Sequence, residues 1–166
     1  ISHRFFSKIA RQLHIALPQP YDYAVGMFFL PQDTLTRQKA MKTLERIVLK
    51  HQATFLGWRQ VPCHEDILGQ KAKDCMPYIM QCFIEKPKTC QQRMDFERVL
   101  YVIRREFEKS SPQTYVVSLS SSTIVYKGMF LVHQLRQFYD DLQDHDYHSA
   151  IALVHSRFST NTNPSW

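Results

Sequence analysis

The spacing of hydrophobic positions along this chain changes repeatedly, and each change marks a predicted element. In residues 3–17, Phe5, Phe6, Ile9, Leu13 and Ala16 or Leu17 recur at three- and four-residue intervals, which predicts an amphipathic helix ended by Pro18 and Pro20. Residues 23–30 are continuously apolar and bounded by proline, the pattern of a buried strand. Asp33 or Thr34 is placed to cap a second helix running to about residue 52, with Leu35, Ala40, Met41, Leu44, Ile47, Val48 and Leu49 as its apolar stripe. Residues 54–61 predict a second strand ended by Pro62, residues 67–76 a short helix or irregular stretch, and residues 78–84 a third strand. A helix over 91–108 turns Met94, Phe96, Val99, Leu100, Ile103 and Phe107 inward. Residues 115–119 and 123–127 read as a hairpin across Ser120, Ser121 and Ser122, with Gly128 breaking the second arm. A short helix over 133–142, a turn over 145–149 and a last strand over 150–155 complete the order. Helices layered on sheets, an α+β arrangement in one domain over 1–166, fit this order better than a parallel βαβ repeat.

Composition narrows the chemistry. With 44% hydrophobic and 13% aromatic residues the chain has material for a substantial core, so disorder is excluded. Four glycines leave no Gly-rich phosphate cradle. The net charge of +6 would suit nucleic acid, but the cations are placed as ordinary solvated helix faces. Arg37, Lys39, Lys42, Arg46 and Lys50 share a helix with Glu45, and Arg93, Arg98, Arg104, Arg105 and Lys109 mix with Asp95, Glu97, Glu106 and Glu108. No aromatic stacking platform accompanies them, and no nucleic-acid partner is expected. Cys63, Cys75, Cys82 and Cys90 form no CxxC pair and read as reduced, buried thiols. The first 17 residues are interrupted by His3, Arg4, Lys8, Arg11 and His14, unlike a signal peptide, and no apolar run reaches the roughly 20 residues that span a bilayer. A cytosolic or plastid compartment and no membrane contact are the expectation. The chain opens inside a predicted helix without Met and closes on Pro164-Ser165-Trp166, which reads as a fragment.

Five groups of residues, in order, carry a resemblance. They are His3-Arg4-Phe5-Phe6; Tyr23-Ala24-Val25-Gly26-Met27 with Phe29-Leu30-Pro31; and Leu56-Gly57-Trp58-Arg59 with Val61-Pro62 and Leu68-Gly69. The fourth is residues 122–129 with Gln134-Leu135-Arg136, Phe138-Tyr139 and Asp141-Leu142. The fifth and most specific is Ala152-Leu153-Val154-His155-Ser156-Arg157-Phe158-Ser159-Thr160-Asn161-Thr162 with Pro164-Ser165-Trp166. In this order they resemble the class II glutamine amidotransferases, in the form carried by the large subunit of glutamate synthase.

That resemblance implies an αββα four-layer fold of the N-terminal-nucleophile hydrolases, incomplete in this chain. It places Arg157 on the α-carboxylate of glutamine, for which a planar guanidinium fork is better shaped than an ammonium. Thr160 and Asn161 would line the same pocket and Phe158 would support it; Thr160 and Asn161 equally suit a side-chain-bonded turn, a compatible role. In the family, an amino-terminal cysteine attacks the side-chain amide with its own amine as base, and an asparagine with a glycine amide holds the oxyanion. Residue 1 is Ile1, so no catalytic residue is assigned here and the isolated chain is expected to be inactive. For the parent the resemblance implies FMN, an iron-sulfur cluster, further synthase domains and an electron donor, either a small subunit or ferredoxin; no cofactor is expected in this chain. Another class II glutamine-dependent amidotransferase, or a non-catalytic module with a basic surface, are the alternatives.

Four local readings complete the expectations. His155 reads as a packed residue at a strand end, Asp140, Asp141, Asp144, His145, Asp146 and His148 as a solvated acidic turn, and Trp58-Arg59 as a stacked cation–π pair. The methionines Met27, Met41, Met76, Met80, Met94 and Met129 read as core filler.

Overall fold

The computed structural model describes residues 1–156 and Trp166. One antiparallel sheet organises them, in spatial order β2-β3-β1-β4. The strands are β1 (Tyr23–Leu30), β2 (Thr54–Gln60), β3 (Tyr78–Glu85) and β4 (Tyr115–Ser120). All eight residues of β1 are buried, because β3 and β4 flank it and both of its faces are covered; that is why its sequence is continuously apolar. The helices are α1 (His3–Gln12), α2 (Thr34–Lys50), α3 (Gln70–Asp74), α4 (Arg93–Ser110) and α5 (Gln134–Phe138).

Helices α2 and α4 cover one face of the sheet. Leu44, Ile47 and Val48 from α2 and Phe96, Leu100, Ile103 and Phe107 from α4 pack on Ala24, Phe28, Met80, Cys82, Ile84 and Val116. Phe28 is the centre of this layer, edge-on to Trp58 and Phe107, each at 5.6 Å between ring centroids. Gly26 makes room for it, since a Cβ there would lie 2.3 Å from the Phe28 ring. Asp33 accepts a bond from the Thr36 amide at 2.8 Å and starts α2; Asp95 accepts from the Gln92 amide at 3.0 Å and closes the first turn of α4.

The opposite face is covered by α1 and by irregular chain. Phe5, Phe6 and Ile9 sit on Tyr23, Val25 and Phe83, while residues 61–76 and 124–142 and Trp166 pack around Met27, Phe29, Ile79 and Val117. The α+β class is thus seen directly. The described residues hold one sheet with one full helical layer, consistent with an incomplete four-layer arrangement.

Several expected elements differ. The predicted hairpin has only its first arm: residues 123–127 leave the sheet because serine side chains take the amides a ladder would use. Ser120 Oγ accepts from the Ser122 and Thr123 amides at 3.0 and 3.2 Å, and Ser118 Oγ accepts from the Val125 amide at 3.1 Å. Residues 150–155 form no strand, and Ile151, Leu153 and Val154 are exposed. An apolar run becomes a strand only when another backbone pairs with it, and none of the described segments does. Helix α1 stops at Gln12 rather than residue 17, where His14 takes a positive φ of 55°. Leu35, Leu49 and Met94 point to solvent, each one residue or more outside the narrower buried stripe of its helix.

Candidate functional site

The four residues expected to hold a ligand, Arg157, Phe158, Thr160 and Asn161, lie outside the described residues. Their flanks are placed. Ser156 and His155 are exposed, and His155 does not end a strand as expected. Trp166 is docked: its indole Nε1 donates to the Ala72 carbonyl at 3.0 Å, and its ring meets Phe138 at 5.6 Å, Phe29 at 5.9 Å and Phe130 at 6.1 Å. Gly128 is part of that seat, because a Cβ on it would come within 2.7 Å of the Trp166 ring and 2.2 Å of Phe130. The motif's last residue is therefore fixed to the sheet face that α2 and α4 do not cover.

On that face lies the principal buried polar constellation. A register irregularity between Phe55 and Gly57 puts Phe55 and Trp58 on the helical side of β2 and turns Arg59 to the other side, opposite Gln81 of β3. Residues 62–64 then run beside 138–140, through the Cys63–Tyr139 bridge and the His64 amide donating to the Phe138 carbonyl at 2.9 Å. This pairing delivers Asp141 to Arg59. The two make a bidentate pair at 2.6 and 2.8 Å, and Arg59 also donates to Gln81 Oε1 at 2.7 Å. Tyr126 donates its hydroxyl to Asp141 Oδ2 at 2.7 Å and accepts from Gln81 Nε2 at 3.2 Å. Burial, reinforced by the Asp141 carboxylate, pushes the Tyr126 phenol well above its ordinary range, so it stays a neutral donor.

This constellation supports the face and does not receive a ligand. Its guanidinium is already spent on a carboxylate and an amide, and no buried side-chain polar atom among the described residues lacks a partner. Arg59 is consequently not stacked on Trp58: adjacent strand residues point to opposite faces, and Trp58 donates instead to Glu45 at 2.8 Å. Sequence reasoning missed the network, although a glutamine and an arginine inside apolar strands were the signal, since buried polar groups require partners.

The acidic turn is only partly solvated: Asp140, His145 and His148 are exposed as expected, and the other three are not. Asp141 is buried, while Asp144 and Asp146 grip α1: Lys8 reaches Asp144 at 2.5 Å and Asp146 at 3.2 Å, and Arg4 reaches Asp146 at 2.6 Å. Among the described residues no group of three His, Cys, Asp or Glu could hold a metal ion. No described helix is long and apolar enough to cross a membrane.

None of the cysteines is built as a nucleophile. Burial, with Asp141 and Asp140 adding to it, pushes the Cys63 thiol up to about 12, and burial also raises Cys82 and Cys90. Cys75 is exposed and Cys63 half-buried, contrary to the expectation of four buried thiols, and the Cys75 sulfur rests 3.0 Å from the Lys71 carbonyl and 3.9 Å from the Met129 sulfur.

Comparison with known proteins gives the same family from one end of the chain to the other. The family model described as glutamine amidotransferases class-II matches residues 1–166. The glutamate synthase [NADPH] large chain of Bacillus subtilis is 41% identical over 170 residues, covering 100% of this chain and 11% of that protein. Ferredoxin-dependent glutamate synthase 1, chloroplastic/mitochondrial, of Arabidopsis thaliana is 40% identical over 168 residues, 98% of this chain and 10% of the relative. Ferredoxin-dependent glutamate synthase 2 of Synechocystis is 40% identical over 154 residues, 92% and 10% respectively. The chain spans about a tenth of the length of these relatives.

Proposed function

The chain belongs to the class-II glutamine amidotransferases, and from that premise we propose that residues 1–166 are part of the glutaminase domain of a glutamate synthase. The parent would take ammonia from glutamine and use it to make glutamate from 2-oxoglutarate. The observation that carries this reading is the similarity to glutamate synthases at about 40% identity along essentially the whole chain. Relatives of both the nicotinamide-dependent and the ferredoxin-dependent kind are similar to it, so a small subunit or ferredoxin serves equally as electron donor. The plant relatives named as chloroplastic favour a plastid over the cytosol where the source is a plant.

Within this domain Arg157 would grip the glutamine α-carboxylate by two parallel N–H···O bonds, with Thr160 and Asn161 lining the pocket and Phe158 backing it. The reacting thiol would come from an amino-terminal cysteine: it forms a glutamyl thioester as ammonia leaves, and water then releases glutamate. Cys63, Cys75, Cys82 and Cys90 lack the attached amine, and three of them are held protonated, so residues 1–166 alone would not hydrolyse glutamine. The FMN and iron-sulfur cluster of a glutamate synthase would be held by other parts of the parent.

The test is Arg157→Ala and Arg157→Lys in the parent polypeptide. Loss of a charge-assisted contact of about 1.5–3 kcal/mol should raise KM for glutamine roughly 10- to 100-fold. Lysine should restore little of it, and activity with ammonia supplied directly should be unchanged. An unaltered KM for glutamine in both variants would remove Arg157 from the pocket.

A further inference from the structure

Helix α2 carries a second stripe on its solvent side, distinct from the one that packs on the sheet. Leu35, Lys39, Lys42, Arg46 and Leu49 follow one another at intervals of four, three, four and three residues, so they lie in a line along one face. Leu35 is 78% exposed and Leu49 73% exposed, an apolar residue at each end of three exposed cations. Between them Leu35, Lys39, Lys42 and Arg46 edge a shallow furrow. No ion pair with a described carboxylate neutralises Lys39, Lys42 or Arg46, whereas on neighbouring α4 Arg98, Arg104 and Arg105 each have one. The one acidic side chain on α2, Glu45, accepts from the Trp58 indole, and Lys50 at the end of the helix is paired with Glu106.

Resting on the reading that the chain is one part of a longer glutamate synthase polypeptide, we propose that this stripe is where an acidic surface of the same polypeptide docks, carboxylates over the three cations and apolar side chains over the two leucines. Charge complementarity selects an acidic occupant, and the flanking leucines with no stacking aromatic in the line favour protein over nucleic acid. The relatives are about ten times longer than this chain, which supplies the surface in cis. Exposed ion pairs are individually weak and screened by salt, so a stripe of three holds an occupant that is tethered far better than one that must be captured from dilute solution.

The test is lysine footprinting of the intact parent polypeptide with an acetylating N-hydroxysuccinimide ester, read by mass spectrometry. The exposed Lys71 and Lys73 of α3 serve as internal references. Lys39 and Lys42 should acetylate about tenfold more slowly than the references, and a dilution of about a hundredfold should not change the ratio. In the Leu35→Gln/Leu49→Gln variant the ratio should approach one. Equal labelling in the native protein, protection that vanishes on dilution, or protection indifferent to that variant would each overturn the proposal. Glutamine-dependent glutamate formation measured on the same preparation separates the two readings: its absence counts against the function, whereas labelling counts against the docking surface alone.

Discussion

Arg59 and Asp141 show what a single buried pair does in this molecule. Both side chains are nearly inaccessible, and the pair links β2 to the turn after α5 across 82 positions of sequence. Charges so deep are tolerated because each has a further polar partner beyond the pair itself: Arg59 also donates to Gln81, and Asp141 also accepts from Tyr126. Removing one partner leaves the other uncompensated, so Asp141→Asn should destabilise the folded protein by about 3–5 kcal/mol. An Arg59→Met/Asp141→Leu double replacement should recover part of that loss, because an apolar pair of similar volume strands no charge. Urea midpoints of the three proteins check both statements; a single replacement costing no more than an exposed one would show the site to be open to water.

At the scale of elements, two local devices decide where secondary structure starts and stops. The Asp33 cap on α2 is set by one carboxylate, and Asp33→Ala should cost about 1 kcal/mol, read as a lowered urea midpoint with an unchanged slope. The serine run after β4 works the other way, turning a segment with strand composition into a loop. Glu97 accepts from the Ser121 amide at 2.8 Å and from Ser120 and Ser121 hydroxyls at 3.1 and 2.6 Å, which locks that loop against α4. Hydrophobic pattern could not foresee this: residues 123–127 are β-rich in composition, and only the position of Glu97 and the serine hydroxyls makes the other conformation better satisfied. The elements that pattern did foresee closely, β1 to β4 with α2 and α4, all contribute apolar side chains to a single core.

Across the whole molecule, the first helix is held by the last described turn. Lys8 and Arg4 pair with Asp144 and Asp146, and Ser2 Oγ donates to the Asp146 carbonyl at 2.9 Å. The Lys8 ammonium holds the Asp144 carboxyl below its ordinary pKa of 3.8, helped by the Asp146 amide. A depressed folded pKa means the stabilisation is complete above about pH 4 and is lost as pH falls through the lower folded value. Stability should therefore drop on acidification below about pH 4, and Asp144→Asn should flatten that limb while lowering stability at pH 7. Unfolding midpoints measured from pH 7 to 3 for both proteins test it; parallel curves would refute the linkage. Sequence by itself determined the four principal strands and the long helices, because a buried face imprints its period on the chain that forms it. It also determined the family, because five short motifs keep their order. Tertiary structure alone decided the partners of Arg59 and of the acidic turn, the loop after β4 and the unpaired stripe on α2. Each depends on groups far apart in the chain meeting, or failing to meet, and local spacing carries no record of that.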